Sequence, residues 1–504
     1  MKFTFRSLLL VSSLLVAAAE AQISQFQHII IVFQENRTPD NLFFTLCATN
    51  SCSTTPTNKQ YNIQTSNWLD KTSTTGFTQP TGVALNNGYD PDHSHTGWKN
   101  ECDLNTMTNV CKMDGAAATS PNRGAFVYVL NTPDAKHPTG ILASYLTLAT
   151  QYGWANYMFQ TNQGPSFPAH QYIFGGTSAL SAAGDQAGTF ISENYSGNDA
   201  AGCYAQNGQT TKEINSAGVE TLFTIDYATG NDVCVNRTTM KDLLENIGVG
   251  WKYYSSDGPG TDKGGSIWTA PNAIESICDP DSGHENCLGS EWAEHVDLTP
   301  ADVLSALGAN GSPCQTSGAD NLQGVSWVIP TGANSDHPGS STGGPDWVAS
   351  IVNALGTSPC TDTVTVNGQT KTVSYWQDTA VVIAWDDFGG WYDHVPPTIL
   401  ASPEGGYQLG FRVPMIFVSA YTPVGYINNS NHDFGSVLRF MEHNFGITEG
   451  ALNFADSRGA KPLNDLTGFY NLNNAPRTFT QIPSAKTAVD FINDKTPPTP
   501  TDDY

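Results

Sequence analysis

The sequence predicts an α/β fold of three layers, a mostly parallel sheet with helices on both faces, on two observations. His28-Ile29-Ile30-Ile31-Val32 and Thr379-Ala380-Val381-Val382-Ile383-Ala384-Trp385 are continuous apolar runs rich in β-branched residues, the pattern of strands buried on both sides. These runs, and the shorter apolar segments 324–330 and 411–419, are separated by helical stretches, and strands alternating with helices build a parallel sheet covered on each face.

Each long run stops at acids and amides. Glu35 and Asn36 follow the first, Asp386 and Asp387 the second, so both put hard oxygen ligands at a strand's carboxyl end, where open α/β sheets bind their ligands. Adjacent carboxylates repel. Without a cation, one of the pair is driven to protonate by its neighbour and by burial; with a divalent metal both stay ionised. The solvated turn that an isolated Asp-Asp usually marks is disfavoured here by the preceding strand and the following Gly389-Gly390.

The string from Phe33 to Phe43, FQENRTPDNLF, and the later DDFGGWYDHVPP from Asp386 to Pro397 resemble two blocks of the phosphoesterase family that includes bacterial phospholipases C and acid phosphatases. The segment Gln163-Gly164-Pro165-Ser166-Phe167-Pro168-Ala169-His170-Gln171-Tyr172 resembles the family segment carrying a nucleophilic Ser or Thr. That resemblance implies an alkaline-phosphatase-like fold, a divalent metal of unspecified identity held by Glu35, Asn36, Asp386 and Asp387, and Ser166 as nucleophile. A free serine hydroxyl is a poor nucleophile at neutral pH, and metal coordination is one way to activate it. The two prolines beside Ser166 fix φ and restrain what is expected to be a loop.

Histidines complete the expected site. Asp90-Pro91-Asp92-His93-Ser94-His95 falls where the family carries an Asp-x-x-His segment, and Ser335-Asp336-His337-Pro338 is similar to another family histidine segment. Phosphoryl transfer is mostly positioning and charge stabilisation, so His93 and His337 are the expected phosphate-binding residues, with His95 an ambiguous neighbour. His394 has two readings, acid for the leaving group or anchor of its loop through Asp393.

Residues 1–21 have Lys2 and Arg6 before an apolar stretch and end in Ala19-Glu20-Ala21, the order of a secretory signal peptide. A catalytic domain is expected over 22–485, with disulfide-clipped insertions, and a polar, Pro-rich, poorly ordered tail over 486–504. No later run approaches the roughly 20 apolar residues that span a bilayer, so a secreted or periplasmic product without a transmembrane anchor is expected. The large phospholipase members of the family it resembles extend into small β domains, and no such domain is expected here. The ten cysteines are an even set, which in an exported chain favours disulfides over a thiolate metal site. Short spacings suggest the clips Cys47 with Cys52, Cys102 with Cys111 and Cys278 with Cys287.

The formal charge is −25. Nucleic-acid backbones and anionic lipids are held by Lys and Arg, so neither is the expected partner; a phosphoester or a phospholipid headgroup is, drawn to a local positive well made by metal and histidines. Segments 47–85 and 182–236, rich in Ser, Thr, Asn and Gly, are expected to be irregular insertions. Asn194, Asn236 and Asn428 stand in N-x-S/T patterns. Phe434, Val437, Leu438, Met441 and Phe445 mark one face of a helix begun by Asp433.

Two other classes compete. Gly339-Ser340-Ser341-Thr342-Gly343 matches the serine-hydrolase elbow, with Asp386 and His394 following in α/β-hydrolase order, although no strand directly precedes it. A non-catalytic secreted binding protein is the other, and the intact set Glu35, Asn36, Ser166, Asp386 and Asp387 argues against it.

Overall fold

The computed structural model describes residues 23–120, 124–197, 200–256, 264–314, 321–339, 342–366, 368–398, 408–458 and 462–498. The expected signal peptide lies outside these, as do the last residues of the tail and Ser340 and Ser341 of the Gly339–Gly343 match.

An eight-stranded sheet forms the centre. In chain order its strands are β1 (His28–Gln34), β2 (Gly153–Met158), β3 (Trp251–Tyr254), β4 (Val296–Asp297), β5 (Val325–Val328), β6 (Thr379–Trp385), β7 (Met415–Val418) and β8 (Tyr426–His432). They lie in the order β4-β3-β5-β1-β6-β7-β2-β8. β7 runs antiparallel to β6 and β2, and the other five pairings are parallel. Every residue of β1 and β6 is buried, as their unbroken apolar runs require. The strand expected over 411–419 is shorter in the structure because Pro414, just before β7, has no N–H for a ladder bond.

Successive strand residues face opposite sides, and the end of β1 shows the layering. Phe33 packs edge-on against His170 and Phe434, ring centroids 4.9 and 5.1 Å away, while the next residue, Gln34, donates to the Tyr145 hydroxyl at 3.0 Å. The helices that carry these partners therefore cover opposite faces. On the Gln34 side lie α1 (Ala143–Gln151) and, packed against it, α3 (Gly344–Gly356); on the Phe33 side lie α2 (Ser166–Gly175) and α4 (Phe434–Phe445). α4 begins as the sequence predicts: the Asp433 side chain accepts from Ser436 N, and Gly446, at φ 69°, closes the helix.

The expected irregular insertions carry more order than their polar composition suggests. Phe190–Ile191, Thr210–Ile214 and Glu220–Thr224 form a three-stranded antiparallel sheet, and the fully buried Trp68 of the first insertion stacks on Tyr392 with centroids 4.7 Å apart. Five disulfides clip the chain: the three short ones expected, plus Cys203–Cys234 and Cys314–Cys360. The expectation of a poorly ordered tail from residue 486 is corrected for its first part. A short helix, α5 (Ala488–Ile492), buries Phe491 against Trp347 of α3 at 5.3 Å, a single aromatic anchor that bulk polarity conceals.

Candidate active site

The site is built by register. β1 and β6 pair in parallel from His28 opposite Thr379 to Gln34 opposite Trp385, so the residues after each strand emerge side by side although some 350 positions separate them. The junction is stitched by three bonds: Asp386 N donates to Gln34 O at 2.8 Å, Arg37 N to Asp387 O at 3.0 Å, and Asn36 N to Asp386 Oδ1 at 2.8 Å. Asn36 sits at φ 56° and Asp336 at φ 72°, left-handed conformations that cost a non-glycine residue energy and cluster at functional sites. Gly389, at φ 61°, has no room for a side chain: a Cβ would stand 2.5 Å from Asn36 O.

Glu35, Asn36, Ser166, His170, Asp386 and Asp387 are all buried. Ser166 is the first residue of α2 rather than part of a loop, with Pro165 as its N-cap; proline is well suited to a helix start because its missing N–H has no intrahelical partner there. The Ser166 hydroxyl lies 3.3 Å from Glu35 Oε2 and 3.4 Å from Asp387 Oδ2. Asp387 Oδ1 accepts from Gly389 N at 2.6 Å, which orients the carboxylate.

His170, absent from the residues the sequence singled out, completes this centre. Its Nε2 is 3.1 Å from Glu35 Oε1 and its Nδ1 3.4 Å from the Tyr253 hydroxyl, which burial, with the Glu35 charge adding to it, keeps protonated far above its usual range. The Tyr253 hydroxyl is fixed in turn by donating to Trp268 O at 2.8 Å. One ligand atom each from Glu35, His170 and Asp386 lies within 4.8 Å of the others. The signal was in the sequence: Ser166 and His170 are four apart, hence on one face of a helix, but only if the segment is helical.

His93 and His337 are brought together, ring centroids 6.3 Å apart. His93 Nε2 is 3.3 Å from Asn36 Nδ2 and its Nδ1 meets Pro91 O at 2.9 Å; His337 packs near Trp268. His95 and His394 are engaged elsewhere. His95 Nδ1 meets Gln163 O at 2.7 Å and its ring stacks on Trp98, in a neighbouring cavity of about 550 Å³ lined also by Tyr172, Phe190 and Ile191. His394 is held by Asp40 Oδ2 at 2.7 Å and Asn62 Oδ1 at 2.9 Å. Its neighbour Asp393 does not hold it; that carboxylate makes a two-bond pair with Arg412.

Behind the centre, Arg37 donates to Asp336 O from two nitrogens, at 3.0 and 2.7 Å; burial lowers its pKa to about 10, with the Asp336 charge opposing. Burial raises the Asp336 carboxyl to about 6, against the bonds from Tyr145 and Trp385 that favour its charged form. Asn36 Oδ1 is buried with no hydrogen-bond partner among the described residues. An orphaned amide oxygen beside three carboxylates and an imidazole is a donor set that suits a divalent cation.

A 276-residue stretch is 28% identical to the non-hemolytic phospholipase C of Burkholderia pseudomallei, covering 49% of this chain and 37% of that one. A 232-residue stretch is 27% identical to phospholipase C A of Mycobacterium tuberculosis, covering 41% and 39%. The matches thus span well under half the length of these relatives. Among solved structures, a protein in the alkaline phosphatase superfamily from Vibrio parahaemolyticus aligns over 61% of each chain with 10% identity and a TM-score of 0.33. The model of the phosphoesterase family matches residues 26–448, from the strand before Glu35 to the helix after Asp387, and the chain belongs to that family.

Proposed function

We propose that the protein is a secreted, metal-dependent phosphoric ester hydrolase that works through a serine nucleophile. The observation that carries this reading is the Ser166 hydroxyl, 3.3 and 3.4 Å from two buried carboxylates at the start of a helix. The phospholipase C relatives support the phosphoester class, and five disulfides support an oxidising compartment.

Glu35, Asp386, Asp387, His170 and the Asn36 amide oxygen would hold the cation, which when bound neutralises the carboxylates and stabilises charge on phosphoryl oxygens. The chain's own groups do the rest. The N-terminus of α2 carries partial positive charge and favours the phosphate next to Ser166. His93 and His337 would line the phosphate site and steady its charge. Ser166 Oγ forms a bond to phosphorus as the bond to the leaving alcohol oxygen breaks; the Oγ proton passes to one of the two carboxylates it already faces and from there to solvent, and the alcohol oxygen takes a proton from solvent. Water then cleaves the phosphoserine, returning the hydroxyl and releasing phosphate or a phosphomonoester. His394, bonded through both ring nitrogens, anchors its loop.

Turnover of an aryl phosphomonoester, a choline phosphodiester and a phospholipid, each with and without chelator, tests the reading. Hydrolysis of at least one that chelator abolishes and a divalent metal restores is the expected result; no hydrolysis of any, or rates indifferent to chelator, would overturn it.

A further inference from the structure

The register that assembles Glu35 with Asp386 also assembles a second group of donor atoms at the opposite end of the same two strands. There His28 pairs with Thr379, and Gln27 N donates to Asp378 O at 2.8 Å, which sets the His28 and Asp378 side chains together. Asp362 reaches in from a peripheral hairpin, Thr361–Val366 with Gln369–Ser374, placing Oδ2 2.8 Å from His28 Nε2. One ligand atom from each of the three lies within 4.8 Å of the others. A seven-residue strand separates this cluster from Glu35, about 20 Å at 3.3 Å per residue.

Two observations call for a ligand. Asp378 is fully buried, and neither of its carboxylate oxygens has a hydrogen-bond donor among the described residues; the charge beside it is a second carboxylate, Asp362. A buried carboxylate is otherwise paired or hydrogen-bonded. His28 Nδ1 lies 2.8 Å from the Gln323 carbonyl, so Nδ1 donates to that oxygen and Nε2 is the nitrogen turned to the acids. A backbone carbonyl on the far nitrogen is the usual way a metal-binding imidazole is oriented.

We propose that His28, Asp362 and Asp378 bind a divalent cation of the zinc or manganese class, separate from the reaction site. One imidazole and two carboxylates form a mixed nitrogen and oxygen set of the kind such ions accept. Asp362, with 30% of its side chain exposed, gives the ion a way in. The cation would staple the 361–374 hairpin, and through Cys360 the Cys314–Cys360 insertion, to the base of the sheet.

Zinc titration of chelator-treated protein, read as equivalents bound and as the shift in Tm, tests this. Asp378→Asn and His28→Gln should each bind one equivalent fewer than wild type and lose part of the zinc-dependent rise in Tm. Phosphoester turnover at saturating metal should stay within about two-fold of wild type, because distant sites act independently. Should both variants fail to fold, the Asp386→Asn protein, intact at this cluster, must still take up zinc and gain Tm. Undiminished zinc binding in the cluster variants, or no uptake by Asp386→Asn, would overturn the proposal and leave a shared proton as the tie among the three side chains.

Discussion

The backbone N–H of Asn36 donates to Asp386 Oδ1 at 2.8 Å, so each of the two strand-end acid blocks orients the other. Asp386→Asn keeps the shape and removes one charge. Metal retention and kcat/KM should fall by more than the roughly 10–100-fold typical of groups that only orient a ligand, with Tm of the metal-free protein little changed. Metal content by elemental analysis beside the rate checks this; equal metal and equal rate would remove Asp386 from the centre.

His170 bridges Glu35 and Tyr253 from inside α2. His170→Ala should cost at least about 10-fold in kcat or in metal affinity, and Tyr253→Phe, which removes only the outer hydroxyl, should cost less. A His170→Ala enzyme with wild-type metal content and rate would show that the imidazole merely fills space beside Phe33 and Trp268.

Disulfides close loops of very different length. In the loop-entropy model, removing Cys314–Cys360, 46 residues apart, should cost about 4 kcal/mol and removing Cys47–Cys52, five apart, about 2 kcal/mol. Denaturant unfolding of the two paired Cys→Ser variants measures the order, which the model predicts and an equal cost would contradict.

Stability should fall as pH rises across neutrality. Burial, and after it the Asp456 charge, raises the Glu442 carboxyl to about 8, so between its unfolded pKa near 4.3 and about 8 the folded state holds a proton that the unfolded state has lost. The stabilising contribution is complete below the unfolded value and is lost as pH climbs through the folded one. Tm measured from pH 5 to 9 should drop more steeply in wild type than in Glu442→Gln, whose amide cannot ionise. Parallel curves would mean that Glu442 titrates normally.

The parts of the fold that the sequence disclosed are those whose burial is complete. β1 and β6 announce themselves as unbroken apolar runs, and α4 by its spacing and its Asp433 cap. β8 does not: Tyr426-Ile427-Asn428-Asn429-Ser430-Asn431-His432 is a half-exposed edge strand whose composition matches a loop. β3 is four residues of aromatic and lysine, too short for a period to show. The strand-end acids and Ser166 were legible because each sits at an element boundary marked by glycine or proline. His170 was not, because its role depends on α2 starting at Ser166, and Pro168 in the first turn made that segment look like a loop. His95, the ambiguous neighbour, shows the converse. It lies two residues from His93, yet it begins the helix His95–Cys102, so its ring turns to Gln163 and Trp98 while His93 stays beside Asn36.

The Ser166 hydroxyl is the group on which the proposed reaction turns. If it attacks phosphorus, Ser166→Ala should lose on the order of 10³-fold or more in kcat with KM little changed, since the carboxylates, His170, His93 and His337 are untouched. The most direct measurement is acid quenching of the wild-type reaction with a labelled phosphoester, followed by peptide mapping. Phosphate is expected on the peptide containing Ser166 and none in Ser166→Ala; a Ser166→Ala enzyme turning over near the wild-type rate, with no label on the wild-type peptide, would contradict a serine nucleophile.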